Sequence, residues 1–383
     1  MNSAGITRAG INRAGISRAG FLAGAAGVGA ALLTGTAGTA RAAGGGKPGL
    51  THRGVVYTVG AGETPATAWS ATRMRHDLRA VQRELHADSI DITGDGVERL
   101  TATTAEAAER GLHIWLQPTL GDVPERDILD HLAETGRFAE RLRRQGARVD
   151  LSVGCEAWLF VPGIVPGADA LERVKNLLEG NVDHERMQRK LDAFIARAAR
   201  VGRSVFHGKL SYAAAQEDEV DWSLFDVVGL NYYAHFPQPA DHVRELKKYL
   251  RFGKPLAITE FGSCAFKGAP EQGGMGWYNV DYSKEPPEVK EGLIRSERTQ
   301  AAYLTQLVDV FESLGLYAAQ AFEFVSPDSP YSSDPKYDYD MVGYSIVKTV
   351  KDRPGDPASG RHWERKEAFH ALARRYARAG ARN

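Results

Sequence analysis

From Arg53 onward, short apolar runs alternate with longer segments in which apolar residues recur every three or four positions. Short apolar runs are typical of buried strands, and a spacing of three and four is typical of amphipathic helices. The candidate strands are Gly54–Val59, Ser89–Thr93, His113–Pro118, Asp150–Cys155, Lys209–Ala213, Val227–Tyr232, Leu256–Glu260 and Ala318–Phe324. This alternation predicts repeated βα units around a parallel sheet.

The segments between these runs predict helices that cover the sheet. Clear examples are Met74–His86, Ala105–Arg110, Glu125–Gln145, His184–Val201 and Lys290–Leu314. Eight βα units in one chain predict the α/β class and a single (β/α)8 TIM barrel, which we place at residues 53–383.

The connections after three predicted strands differ in length. The segment 216–226 is short and holds little more than one turn, whereas 263–287 and 325–344 are long and rich in glycine or aromatic residues. Long loops without secondary structure are uncommon unless they are functional or disordered. In a TIM barrel the loops after the strands surround the active site, so we expect long functional loops at the C-terminal face.

The first 42 residues predict an export signal. Arg8, Arg13 and Arg18 precede a short Gly/Ala/Leu stretch and a run of small residues, with no acidic residue among them. The segment is similar to a twin-arginine leader, but Arg18 is followed by Ala19, so the twin-arginine and Sec routes both stay open. We expect cleavage near Ala42, a linker at 43–52, no membrane span in the mature chain, and a secreted, extracellular protein.

Composition and other motifs exclude several classes of function. The 48 basic and 48 acidic residues balance, which argues against a nucleic-acid partner. Neither HxxxH spacing nor a carboxylate cluster accompanies the histidines, so no metal is predicted. The chain has no phosphate-binding glycine motif, and we expect no cofactor. It also has no GxSxG elbow, which argues against a serine hydrolase. The two cysteines, Cys155 and Cys264, form either one bridge or two buried thiols.

Two glutamates stand where predicted strands end. Glu156 follows the run that ends at Cys155, and Glu260 ends the run that begins at Leu256. Either residue alone is equally well explained as a solvated loop carboxylate. Together they occupy the position where catalytic groups collect in this fold, and a carboxylate pair is what glycosidic bond cleavage requires.

Several motifs carry a resemblance to known enzymes. ITEFG at 258–262 and LSVGCEAW at 151–158 resemble the nucleophile and acid/base motifs of glycoside hydrolase clan A. Further segments resemble glycoside hydrolase family 113, a group of β-mannanases: AAERGLHIWLQP at 107–118, LSYAAA at 210–215 and VDWSLFDVVGLNYY at 220–233. The chain departs from the pattern of the clan at Cys155, where an Asn is common, at Thr119, where many relatives have His, and at Phe322–Phe324, where a Trp is common.

The resemblance implies a retaining mechanism with Glu260 as nucleophile and Glu156 as acid/base. Tyr232 or Tyr233 is placed to donate a hydrogen bond to Glu260, and either is equally a rim aromatic. The other candidates for substrate binding are Tyr212, Asn231, Gln117 and Glu323 near strand ends, and Trp158, Phe160, Trp277 and Tyr278 on the loops. Aromatic residues on such loops serve as often to pack the loop.

The sequence therefore predicts a secreted, monomeric, retaining glycoside hydrolase that acts on a β-linked poly- or oligosaccharide, with β-mannan taken from the resemblance. Two alternatives remain open. A barrel can lose its activity and serve as a noncatalytic carbohydrate-binding or cell-surface protein, and the same two carboxylates can support transglycosylation.

Overall fold

The computed structural model describes residues 49–356 and 359–380. Eight parallel strands close into a barrel in chain order, and the last strand pairs with the first. The strands are β1 His52–Val59, β2 Ser89–Gly94, β3 His113–Pro118, β4 Val149–Cys155, β5 Leu210–Ala214, β6 Val228–Asn231, β7 Leu256–Phe261 and β8 Ala318–Ala321. The predicted TIM barrel is confirmed. The predicted export signal at 1–42 and linker residues 43–48 lie outside the described residues.

Helices surround the barrel. They are α1 Ala71–Arg83, α2 Val97–Glu109, α3 Glu125–Arg144, α4 Ala157–Phe160, α5 Ala170–Leu178, α6 His184–Val205, α7 Pro239–Leu250, α8 Glu297–Leu314 and α9 Glu367–Gly380. Helix α2 is much longer than the predicted 105–110. The apolar spacing of this helix is hidden in the sequence because Thr103 and Thr104 occupy two of its buried positions. Their hydroxyls donate to the carbonyls of Arg99 and Leu100 one turn earlier.

The loops after β7 and β8 are ordered by additional elements that the sequence pattern did not predict. After β7 the chain forms a 3-10 segment at Ala269–Asn279 and a short antiparallel pair, Val280–Asp281 with Glu288–Val289. After the β8 loop, strands β9 Val347–Lys351 and β10 Arg361–Arg365 form an antiparallel hairpin that leads into α9.

A buried ion cluster holds the long β8 loop on the barrel. Asp340 is fully buried and accepts from Arg295 Nη2 at 2.7 Å and from Lys366 Nζ at 3.0 Å. Arg295 also pairs with Asp338 at 2.9 Å and with Glu297 at 2.8 Å. The cluster joins the end of the β7 loop, the β8 loop and the start of α9, so the walls above the barrel form one unit.

Strand β4 is positioned by a close approach of helix α6. A Cβ atom at Gly202 would lie 2.7 Å from Cγ1 of Val153 and 3.1 Å from Cδ1 of Leu210. Only glycine allows the helix to pack this closely on β4 and β5. The contact fixes the strand that ends immediately before Glu156.

No helix in the part of the chain from 49 to 356 and from 359 to 380 is long and apolar enough to cross a membrane.

Candidate active site

Glu156 stands at the turn between β4 and α4, with its side chain 4% exposed. Its backbone has φ 36° and ψ 57°, a left-handed conformation that costs energy in a residue other than glycine and is found most often at functional sites. Strand β5 supports the turn on both sides: Glu156 N–H donates to Ala213 O at 2.9 Å, and Ala157 N–H donates to the Tyr212 hydroxyl at 2.7 Å. The glutamate is therefore held in one orientation by its backbone.

Asn231 at the end of β6 contacts the Glu156 carboxylate. Its Nδ2 donates to Oε1 of Glu156 at 2.9 Å, and its Oδ1 accepts from the Thr259 hydroxyl at 2.7 Å. A hydroxyl can donate a hydrogen bond to the amide oxygen but not to the amide nitrogen. Thr259 therefore sets the orientation of the Asn231 amide and directs its N–H group to Glu156.

Glu260 lies within β7 and is 3% exposed. Its Oε2 accepts from the Tyr233 hydroxyl at 2.8 Å, and its Oε1 accepts from Cys155 Sγ at 3.5 Å. Cys155 Sγ in turn lies 3.4 Å from Asn231 Nδ2, so a thiol and an amide connect the two glutamates. We call Glu156, Asn231, Tyr233, Glu260 and Cys155 the cup.

Burial shifts the acidity of both glutamates. It raises the pKa of Glu156 to about 7, against the opposing hydrogen bond from Asn231. Burial also raises the pKa of Glu260 well above its usual range, and the Glu156 carboxylate nearby adds to this. Two neighbouring buried carboxylates resist ionising together, so the pair keeps one proton over a range of pH. The hydrogen bonds act against burial: Glu260 accepts from two donors and Glu156 from one, and on this ground we place the charge on Glu260 and the proton on Glu156.

Asp91 in the middle of β2 is a buried carboxylic acid that the sequence analysis missed. Neither of its carboxylate oxygens has a hydrogen-bond partner within the described ranges, and burial raises its pKa well above the usual value. Its charge would raise the pKa of both Cys155 and Glu260, which places it close beneath the cup. The alternating polar residues of SIDITG at 89–94 were the available signal, because they place Ser89, Asp91 and Thr93 on one face of the strand.

Gln117 and Glu323 are both fully buried near strand ends. Gln117 Nε2 lies 3.4 Å from the Thr93 hydroxyl, and its Oε1 has no partner among the described residues. Glu323 accepts from the Thr58 hydroxyl at 2.7 Å and from the Ser326 hydroxyl, and burial raises its pKa to about 7. Thr58 belongs to β1, so Glu323 connects the end of the barrel to the β8 loop.

The two adjacent tyrosines after β6 have different surroundings. The Tyr233 hydroxyl reaches Glu260, whereas the Tyr232 hydroxyl lies 2.8 Å from Nδ1 of His242 on α7. The structure thus assigns to Tyr233 the hydrogen bond that the sequence left open between them, and it directs Tyr232 to the helix layer. Tyr212 also turns away from the cup surface, since its hydroxyl meets the Ala157 backbone and its ring packs on Phe225 at 6.4 Å.

The four aromatic candidates on the loops are covered to different degrees. Trp158 on α4 is 5% exposed and Trp277 is 3% exposed, so both contribute to packing. Phe160 and Tyr278 are half-buried, and the ring of Tyr278 meets that of Trp277 edge to face at 5.6 Å. Trp158 also lines a cavity beside α5 and α6.

The cysteines are both buried and unpaired, so the structure selects the two-thiol alternative. Among residues 49–356 and 359–380, no group of three or more His, Cys, Asp or Glu side chains is arranged to hold a metal ion.

No model of a known protein family and no curated protein sequence matches this chain. Solved structures do resemble it. A β-glucuronidase from Ruminococcus gnavus, solved in complex with C6-substituted uronic isofagomine, is 14% identical with a TM-score of 0.52, and the match covers 85% of this chain and 50% of that one. A calcium-binding mutant of β-glucuronidase 2 from Bacteroides uniformis is 14% identical with a TM-score of 0.50, covering 78% of this chain and 33% of that one.

A broad-specificity endoglucanase from Clostridium longisporum is 12% identical with a TM-score of 0.46, and the match covers 85% of this chain and 96% of that one. The chain thus spans about half the length of the Ruminococcus enzyme and a third of the Bacteroides enzyme. The two β-glucuronidases are glycoside hydrolases by name, and at such low identity their likeness shows the barrel fold that they share with this chain.

Proposed function

We propose that this protein is a secreted, retaining glycoside hydrolase that acts on a β-linked poly- or oligosaccharide. The observation that carries the proposal is the pair of buried glutamates at the ends of β4 and β7, connected through Asn231 and Cys155. Hydrolysis of a glycosidic bond needs one carboxylate and one carboxylic acid on either side of that bond. The burial and hydrogen bonds of the cup supply a group of each kind.

In the first step, ionised Glu260 attacks the anomeric carbon and forms a covalent ester with the sugar. The bond between this carbon and the leaving oxygen breaks, and protonated Glu156 delivers its proton to that oxygen. In the second step, Glu156 takes a proton from a water molecule, whose oxygen attacks the anomeric carbon and releases Glu260. Glu156 is then protonated again and Glu260 is ionised, so the cycle closes.

The neighbouring residues have distinct roles in this mechanism. Tyr233 donates to Glu260 and favours its charged form before the attack. Asn231, oriented by Thr259, stabilises Glu156 when it becomes charged after it has given up its proton. Cys155 Sγ donates to Glu260 Oε1 at 3.5 Å and accepts from Asn231 Nδ2 at 3.4 Å, so it connects Glu260 to the amide that contacts Glu156.

Retention is supported by the motifs at 151–158 and 258–262, which resemble the acid/base and nucleophile motifs of glycoside hydrolase clan A. A retaining pair stands about 5 Å apart, while an inverting pair needs about 6.5–9.5 Å to admit a water molecule. Here three contacts of 2.9, 3.4 and 3.5 Å link the two acids through Asn231 Nδ2 and Cys155 Sγ, and the anomer that the protein releases decides between the two outcomes.

The substrate class has two separate supports. The name of a structural neighbour, a β-glucuronidase, supports a β-linked sugar. The motifs at 107–118, 210–215 and 220–233, which resemble family 113, support β-mannan as the polymer. The arginines and the apolar stretch before Ala42 support export from the cell.

The test is release of reducing ends from β-mannan, β-glucan, β-galactan and xylan by the protein and by Glu260→Ala and Glu156→Ala. We expect cleavage of one β-linked polymer and loss of at least about 10⁴-fold in kcat for Glu260→Ala. Glu271→Ala removes an exposed glutamate from the β7 loop and is the matched control. Full activity in either cup variant would refute the assignment, and products larger than the substrate in the presence of acceptor sugars would show transglycosylation.

A further inference from the structure

A cavity of about 570 Å³ opens beside the cup, between α4, α5, the start of α6 and the loop after β5. Its volume lies within the range of about 300–1,000 Å³ that is usual for small-molecule sites. Met275 from the β7 loop completes the lining. The cavity is therefore built from the loops of β4, β5 and β7, the same face of the barrel that holds Glu156 and Glu260.

Apolar side chains supply seven of the fourteen residues that line the cavity. Val174, Leu177 and Leu178 contribute from α5, and Met187 contributes from α6. Leu178 is 42% exposed at the end of α5, a position on a helix surface where a polar residue would fit equally well. Methionine is flexible and polarizable, so Met187 and Met275 can adapt to an apolar ligand of irregular shape.

The cavity lies next to Glu156, the proposed acid/base. Trp158 lines it and lies two residues after Glu156. Glu217, also in the lining, adds to the effect of burial in raising the pKa of Glu156. In the proposed mechanism Glu156 protonates the leaving oxygen. The part of the substrate that departs with this oxygen therefore has to lie beyond Glu156.

We propose that this cavity binds an apolar, non-sugar group attached to the sugar at the leaving side, such as an alkyl or terpenoid chain. The inference rests on the proposed function and names the leaving group of its substrate, while the sugar bound at Glu260 is left open. It predicts that glycosides of apolar alcohols are bound more tightly than glycosides of short ones.

Helix α5 gives the cavity one side that is wholly apolar, and this side favours an apolar group over a further sugar ring. A sugar offers many hydroxyls that need polar partners, and it stacks on exposed aromatic faces. Here the aromatic ring in the wall is Trp158, which is 5% exposed. The polar residues of the lining come from α6 and the loop after β5: the acids Glu185, Glu217, Asp218 and Glu219, the basic groups His184 and Arg189, and Gln188, with Arg189 pairing with Glu185 at 3.3 Å. This charge disfavours an anionic leaving group.

The test compares n-octyl and methyl β-D-mannosides, with the two corresponding glucosides as a second pair, below the micelle concentration. Binding is measured by calorimetry on Glu260→Gln, which does not turn the ligand over. We expect the octyl compound of at least one pair to bind at least about tenfold more tightly than the methyl compound, because its additional methylene groups leave water. Leu178→Asp in the same background is expected to reduce this ratio to about twofold or less.

The matched control is Leu250→Asp, which changes a leucine that is 37% exposed at the end of α7 and does not line the cavity. It is expected to keep the octyl preference. Equal binding of octyl and methyl glycosides, or a preference that Leu178→Asp leaves unchanged, would overturn the inference even if the polymer panel shows hydrolysis. Octyl binding that depends on Leu178, with no turnover of any glycoside by the unmodified protein, would support the cavity assignment and refute the proposed function.

Discussion

The two ends of the barrel hold their buried acids in different ways. At the N-terminal end, Asp150 accepts from the Tyr317 hydroxyl at 2.7 Å and lies 3.1 Å from Nε2 of His113. His52 stacks on the His113 ring at 3.8 Å, and burial together with His113 lowers the pKa of His52 to about 3. Toward the C-terminal end, Asp91 in the middle of β2 has no partner within the described ranges, and at that end burial raises the pKa of Glu156 to about 7.

This difference shows where the chain uses buried polarity for stability and where it uses it for chemistry. Acids that are fully hydrogen-bonded add to a rigid fold, whereas acids left with few donors keep a proton near neutral pH and can exchange it. The comparison agrees with the general division of a TIM barrel, in which the N-terminal face serves stability and the C-terminal face carries the active site.

The largest effect on stability is expected at the N-terminal end. Asp150→Ala leaves the Tyr317 hydroxyl and the His113 ring without their acceptor, and we expect a loss of about 2–4 kcal/mol in the free energy of unfolding. Glu260→Gln removes a buried charge from the cup and should change this free energy by less than about 1 kcal/mol. Urea unfolding of both variants measures the difference, and an equal loss in the two would break the comparison.

The next effect concerns the two tyrosines after β6. Tyr233→Phe removes a donor to charged Glu260, a bond worth about 1.5–3 kcal/mol, so kcat/KM should fall about 10–150-fold. Since this bond lowers the pKa of Glu260, the acid limb of the pH profile should also move to higher pH. Tyr232→Phe is the matched control, because its hydroxyl meets His242 instead. A similar loss of activity in both variants would contradict the assignment.

The pH dependence of activity sharpens the role of Glu156. An acid with a pKa of about 7 loses its proton as the pH rises through 7, so kcat/KM should fall tenfold per pH unit above that point. Asn231 stabilises the charged form of Glu156, so Asn231→Ala should raise its pKa and move this alkaline limb upward. An alkaline limb that moves downward in Asn231→Ala, measured with a soluble substrate over the stable pH range, would contradict the contact.

The smallest effect is expected from the thiol between the carboxylates. Cys155→Ala removes a weak donor to Glu260, and we expect kcat/KM to fall about two- to fivefold. Cys264→Ala is the control, because its thiol donates to the Val342 carbonyl at 3.0 Å, outside the cup. Loss of more than about a hundredfold in Cys155→Ala alone would show that the thiol has a larger role than support of Glu260.

The barrel and its carboxylate pair could be predicted because each strand is a short apolar run and each glutamate stands at the end of one. The direction of individual side chains could not. The pairing of β6 with β7 shifts register between Leu230 and Asn231, and a shift of one residue moves a side chain to the opposite face. This is why Tyr232 and Tyr233 were indistinguishable in sequence. Asp91 was missed because it is one of three alternating polar residues in β2, and the alternation alone does not show which of them lies beneath the cup.

The most direct test of the central claim is azide rescue of the two cup variants with an activated aryl β-glycoside of the sugar found in the polymer panel. In Glu260→Ala, azide replaces the missing nucleophile, so the product should be the α-glycosyl azide. In Glu156→Ala, azide attacks the ester on Glu260, so the product should be the β-glycosyl azide. Nuclear magnetic resonance distinguishes the two anomers. These opposite outcomes would establish both roles, and a β-azide from Glu260→Ala would contradict the account.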